Sequence, residues 1–152
     1  MCDETKINEL VKAAVLAGLD GVEFLQEFDD EELCREYNGI GPEWAGAKVR
    51  GLATRYLGLF EPAALIHDLR NYASDGSRFR FNYANMEFLE NCRKLADAEY
   101  AWYDWRRYRA RAIAHLLYDF VAGPGGWTAW ADCNARRIAA KDYTPKTKKG
   151  KP

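Results

Sequence analysis

Two histidines occur in the 152 residues, His67 and His115. The first is followed directly by Asp68, at the end of the mostly apolar run Ala63-Ala64-Leu65-Ile66-His67-Asp68. Successive helical residues point about 100° apart, so this His and Asp address different partners. A metal-dependent phosphohydrolase built on a His-Asp step needs several further histidines, and the chain has one. Upstream lies Tyr37-Asn38-Gly39-Ile40-Gly41-Pro42, a loop whose backbone can turn tightly or approach a ligand closely. Loop carbonyls plus one carboxylate make a cage suited to calcium, a hard cation taking about 6 to 8 oxygen ligands. His67 can then act as general base on a water within hydrogen-bond reach.

Tyr37-x-Gly39-x-Gly41 followed by His67-Asp68 resembles the calcium loop and catalytic helix of the phospholipase A2 superfamily. The order Asn38-Gly39-Ile40-Gly41-Pro42, Ala64-Leu65-Ile66-His67-Asp68 and Phe88-Leu89-Glu90-Asn91 is similar to small phage and prophage proteins related to that superfamily, over about residues 37–126. The resemblance implies carbonyl calcium ligands at Tyr37, Gly39 and Gly41, a carboxylate ligand at Asp68, the base at His67 and an oxyanion donor at the Gly39 amide. A helical hairpin centred near Gly76 sets His67 nine residues before the centre and Asn85 nine after it, so the two can face each other. In the superfamily that position holds an Asp that orients the histidine and stabilises the imidazolium. Asn85 can accept a hydrogen bond but brings no charge. Asn71 stands where the superfamily has a supporting tyrosine, with Tyr72 one place later, and the stretch from Gly41 to His67 is longer than in secreted members. Asp75 and Asp97 are the alternative carboxylates.

Other constellations are weaker. His115 and Asp119 stand four apart on a helix and can pair or share a metal, but two ligands alone bind weakly. Tyr100, Trp102, Tyr103, Trp105 and Tyr108 interleave with Arg106, Arg107, Arg109 and Arg111, a combination able to stack on bases or sit at a lipid interface. The plainer expectation is a long helix burying Trp105, Ala112 and Leu116 while its arginines face water or lie against aromatic faces. Cys2, Cys34, Cys92 and Cys133 lie far apart and read as small core residues rather than a zinc or redox site.

The elements that position these residues read as helices. Ile7, Leu10, Val11 and Ala14 keep helical spacing up to Gly18 and Asp20-Gly21. Asp29 with Glu32 three residues on reads as a capped start for a short helix ending at Cys34 or Tyr37. Pro42 opens a helix with Trp44, Val49, Leu52 and Tyr56, and Pro62 opens the next, to about Tyr72. After a turn at Ser74–Ser77, Asn82 caps a helix carrying Met86, Phe88, Leu89 and Leu95. A break near Asp97 precedes a helix to Val121. Gly123-Pro124-Gly125-Gly126 stops that helix, and a last one starts at Trp127. No period-two pattern marks a strand. The expected fold is therefore all-α, with an antiparallel pair of core helices at about 62–73 and 83–98 and a glycine-rich candidate calcium loop.

The length suits one domain of roughly 100 to 200 residues, and 48% hydrophobic with 30% charged residues excludes wholesale disorder. The net charge of −1 hides asymmetry: residues 1–36 carry 11 Asp/Glu against 3 Lys/Arg, and residues 136–152 carry 7 Lys/Arg against 1 Asp. The expected organisation is an acidic helical segment at 1–36, a phospholipase A2-like core at 37–135 and a basic tail at 136–152. Within 37–135 the 12 basic and 11 acidic groups nearly cancel, which disfavours nucleic acid as partner. The expected partners are a phospholipid or membrane surface, or a phage or host protein. No signal peptide or membrane-spanning segment is read, giving the host cytoplasm or a virion as the expected location. The function implied is a calcium-dependent phospholipase or esterase, weakened or silent because of Asn85; the alternative is a non-catalytic virion component or binder of a host protein on the same scaffold.

Overall fold

The computed structural model describes residues 4–37 and 47–139. Among the described residues the chain is all-α, with seven helices: α1 Glu4–Leu16, α2 Val22–Leu25, α3 Asp30–Glu36, α4 Ala47–Tyr72, α5 Arg78–Glu99, α6 Trp105–Ala122 and α7 Pro124–Ala139. Gly39, Gly41, Pro42 and Trp44 lie outside the described residues, as does Lys141–Pro152.

α4 is the axis of the fold and packs against each of the other six helices. Phe60, Ala63, Leu65 and Leu69 have no exposed surface, and Ile66 has 1%. Burial this far round the cylinder is expected of a helix enclosed on several sides. It also corrects the reading of Pro62 as a helix start, because α4 runs through Pro62 without ending. A proline inside a helix forfeits the bond to the residue four before it, at a cost of about 3 kcal/mol. Here that residue is Gly58, and the closely packed turns on either side outweigh the loss.

The turn at 73–77 brings α5 back along α4. Ser74 Oγ accepts from the Gly76 amide at 3.0 Å and Asp75 Oδ1 from the Ser77 amide at 2.9 Å. Ser77 then caps α5, its Oγ accepting from the Arg80 amide at 3.2 Å. The expected cap, Asn82, therefore lies inside α5, one turn late. A serine set extended by the turn before it satisfies an orphan helix amide where the chain first becomes helical. α5 packs most extensively on α6 and α4.

Asp104 caps α6 and its Oδ1 accepts from the Arg106 amide at 2.9 Å. The buried face of α6 is Ala110, Ile113, Ala114 and Leu117. This overturns the expected burial of Trp105, Ala112 and Leu116: Trp105 and Leu116 are 63% and 61% exposed, and Ala112 is exposed. Small residues decide the matter. Ala110 and Ala114 on α6, like Cys92 and Ala96 on α5, are fully buried, so the helices can approach closely on that side. The Gly123–Gly126 run does not delay the last helix either. Pro124 is its first residue, where a missing N–H costs nothing, and the Trp127 amide donates to Gly123 O at 3.0 Å. A Cβ at Gly126 would lie 1.9 Å from Val121 O, so this corner requires glycine.

The first three helices share the core. Ile7, Leu10, Ala14, Leu25 and Leu33 join the same apolar cluster as α4, α5 and α6. The capping box read at Asp29 and Glu32 is present, with the Glu32 amide donating to Asp29 Oδ1 at 2.8 Å and the Asp29 amide to Glu32 Oε2 at 3.2 Å. Asn91 of α5, fully buried, grips the α1–α2 turn from both sides: the Asp20 amide donates to its Oδ1 at 2.7 Å and its Nδ2 donates to Asp20 O at 2.9 Å.

Candidate functional site

His67 sits in the last third of α4, five residues before its end at Tyr72, with its side chain 16% exposed. The return of α5 sets Asn85 Oδ1 2.9 Å from His67 Nε2, and Asn85 is 1% exposed. A carbonyl oxygen only accepts, so in this arrangement Nε2 carries the proton and Nδ1 of the neutral ring holds the lone pair. Nδ1 lies 3.8 Å from Asp68 Oδ1, beyond hydrogen-bond reach. The basic nitrogen thus faces the carboxylate side while the other is tied to α5.

Aromatic rings fix the imidazole plane. Phe88 lies 5.3 Å from it between centroids and Trp130 of α7 lies 6.3 Å away. Trp130 belongs to a second buried cluster with Phe81 and Ala84, against which Trp127 packs. The α6–α7 corner is therefore what carries an indole to His67. Asn85 Nδ2 and Trp130 Nε1 are buried donors with no hydrogen-bond partner among the described residues. An unsatisfied buried donor costs roughly 1–3 kcal/mol.

Of the expected site residues, the structure brings His67, Asp68 and Asn85 together. Tyr37 follows α3, packs against the core and carries the Lys6 ammonium 5.8 Å from its ring centroid. Gly39 and Gly41 lie outside the described residues, so the loop's approach to Asp68 does too. Among the described residues no group of three His, Cys, Asp or Glu side chains forms a metal site. A cation at Asp68 would have to draw on backbone carbonyls.

The alternative carboxylates are engaged elsewhere. Asp75 is held below the usual carboxylate range, chiefly by its hydrogen bond with Ser77. Burial acts to raise the Asp97 pKa, but hydrogen bonds from Arg107 and Arg111 outweigh it and hold the group low. Asn71 accepts from Asn134 Nδ2 at 3.0 Å, tying α4 to α7. His115 meets Arg93, Nε2 to Nη2 at 2.8 Å. Cys92 is enclosed in the core, and burial pushes its thiol pKa well up, as expected of an inert packing residue.

A second feature escaped the sequence reading. One helical turn beyond His67, Arg70 lies side-on to Glu87, Nε to Oε2 at 2.8 Å and Nη2 to Oε1 at 2.9 Å. The guanidinium carbon is 4.2 Å from the Phe24 ring centroid and 5.4 Å from that of Tyr83. The pair floors an open cleft of about 780 Å³ bounded by Gly18, Val22, Phe24 and Tyr83, which His67 does not line. The available signal was spacing: Arg70 is three residues after His67 and Glu87 two after Asn85, on the same facing helices. No family model, curated protein or solved structure is matched by this chain.

Proposed function

We propose that this chain is a calcium-dependent lipid-ester hydrolase of the phospholipase A2 type, with catalysis weakened by Asn85. The observation supporting this reading is the His67 Nε2 to Asn85 Oδ1 contact of 2.9 Å, which leaves Nδ1 as the basic nitrogen beside Asp68. On this reading His67 Nδ1 takes a proton from water as the oxygen bonds to the ester carbonyl carbon. The tetrahedral adduct collapses by breaking the carbon–alkoxy bond, and the imidazolium returns the proton to the departing alkoxide. The Asp68 carboxylate and the carbonyls of Tyr37, Gly39 and Gly41 are hard oxygen donors of the kind calcium takes. When bound there, calcium would polarise the ester carbonyl, and the Gly39 amide would donate to the oxyanion. The test is calcium-dependent fatty-acid release from phospholipid vesicles by the wild type, His67→Gln and Asp68→Asn. Activity in the wild type alone supports the reading; equal release by all three, or by none, overturns it.

A second reading is favoured by one observation, the neutral and half-satisfied Asn85 amide where hydrolysis needs a charge to stabilise an imidazolium. On that reading the chain is a phage-type binding protein, a virion component or a ligand of a host protein, that keeps the scaffold without turnover. Asn85→Asp discriminates: it creates or raises hydrolysis in a weakened enzyme and leaves a binding protein silent.

A further inference from the structure

Four large aromatic side chains cluster where α5 gives way to α6, and all face outward: Trp102 is 72% exposed, Tyr103 75%, Trp105 63% and Tyr108 60%. They are held in place. Tyr108 Oη donates to Trp102 O at 3.1 Å, and the Trp102 and Tyr103 rings meet edge to face at 5.7 Å. Along α6 the stripe continues through Ala112 to Leu116, itself 61% exposed. Trp105, Tyr108, Ala112 and Leu116 repeat at three- and four-residue steps and so share one face, opposite the buried Ala110, Ile113, Ala114 and Leu117. At 1.5 Å per residue this stripe runs for about 16 Å. An apolar face of that length turned to solvent calls for a partner.

Charge narrows the partner to an anionic one. Residues 100–152 hold eleven Lys/Arg against four Asp/Glu, whereas residues 1–99 hold eleven against nineteen. Seven of the eleven in 100–152 lie at 136–152, so the anionic preference comes from the C-terminal basic run, while 100–135 carries four Arg against three Asp around the stripe. Nucleic acid fits the stripe less well than lipid does. Arg106 is taken up by Asp104, and Arg107 and Arg111 by Asp97, so three of the four arginines are not poised as phosphate clamps. Arg109 lies 6.0 Å from the Trp105 ring centroid, beside the stripe. The stripe also ends in aliphatic Ala112 and Leu116, which hydrocarbon accommodates and base stacking does not use. Indole and phenol rings with polar edges, arginines at the flank and an aliphatic strip along one helix are the chemistry of a helix lying in a bilayer interface.

We propose that the exposed face of α6, with Trp102 and Tyr103 at its N-terminal end, docks the protein flat on an anionic phospholipid surface. This does not rest on hydrolysis at His67, and the experiment separates the two. The full chain is mixed with vesicles of phosphatidylcholine alone or of equal parts phosphatidylcholine and phosphatidylglycerol, then assayed by flotation and tryptophan emission. Expected are flotation with the anionic vesicles, a blue shift of emission, and the same binding by His67→Gln. Trp105→Ser combined with Leu116→Ser should weaken binding about tenfold or more, since each removes an apolar side chain that the bilayer interface would bury. Both positions are exposed, so the far-ultraviolet circular dichroism and melting temperature of the free variant should match the wild type. No binding to either vesicle, undiminished binding by the folded double variant, or stripe-dependent binding to a single-stranded oligonucleotide or to a second copy of the chain in place of vesicles would overturn the proposal.

Discussion

Arg70 and Glu87 lie side by side across α4 and α5, joined by two hydrogen bonds of 2.8 and 2.9 Å, with the Glu87 side chain 4% exposed. Burial acts to lower the Arg70 pKa and the bonds to Glu87 outweigh it, so the guanidinium is held above its ordinary value. Removing one partner strands the other charge. Arg70→Met should destabilise the fold by roughly 3 kcal/mol, and the double variant Arg70→Met/Glu87→Leu should recover a large part of that loss. Denaturant unfolding of both variants and of each single change measures it.

The His67–Asn85 contact makes a prediction about the resting ring. With Asn85 Oδ1 as acceptor, His67 is the Nε2–H tautomer, which nitrogen-15 chemical shifts of the imidazole report directly. Asn85→Leu removes the acceptor and should release the ring to a mixture of tautomers. A wild-type spectrum of the Nδ1–H form would reverse the roles of the two nitrogens and remove the proposed base.

The α6–α7 corner gives a matched pair of glycine substitutions. At Gly125 a Cβ meets nothing within 4 Å, whereas at Gly126 it would stand 1.9 Å from Val121 O and 2.6 Å from Val121 C. Gly125→Ala should be neutral or stabilising by up to about 1 kcal/mol, because alanine prefers a helix. Gly126→Ala should cost about 2 kcal/mol or more and lift Trp127 and Trp130 away from Phe81 and His67. Tryptophan fluorescence alongside the unfolding curve separates this displacement from simple loss of stability.

Asp97 makes stability depend on pH in the acid range. Its carboxyl is held below the ordinary value by Arg107 and Arg111, so the folded state binds its proton less readily than the unfolded chain. The stabilisation is complete above the unfolded pKa of about 3.9 and fades as pH falls through the lower folded value. Asp97→Asn should therefore lower the melting temperature at pH 7, and the gap from wild type should close in strong acid.

Local chemistry was the part of the fold that the residues announced. The Asp29–Glu32 capping box and the Ile7, Leu10 and Ala14 face of α1 depend on neighbours within one or two turns, and both are found as read. Pro62 was misread because its helix is held by six others, a context no local window contains. The two stripes of α6 are apolar by type alike. Only the close approach of α5 decides that the alanines go inside and Trp105 outside. At the site, the nine-residue symmetry about Gly76 reaches Asn85 from His67. Trp130 arrives from 63 residues away through a corner set by Gly126, and Arg70 with Glu87 shows itself only once the helices pair.

The grip of Asn91 on Asp20 bears on the order in which the chain folds. It joins residues 71 apart, and closing a loop that long costs entropy which only completed long-range packing repays. The contact should therefore form late, after α4 and α5 have found each other across their short turn. The Asp20 amide then becomes a reporter of completion: its hydrogen exchanges slowly only in molecules whose first two helices have docked, and Asn91→Ala should speed that exchange while leaving the amides of the α4–α5 hairpin protected.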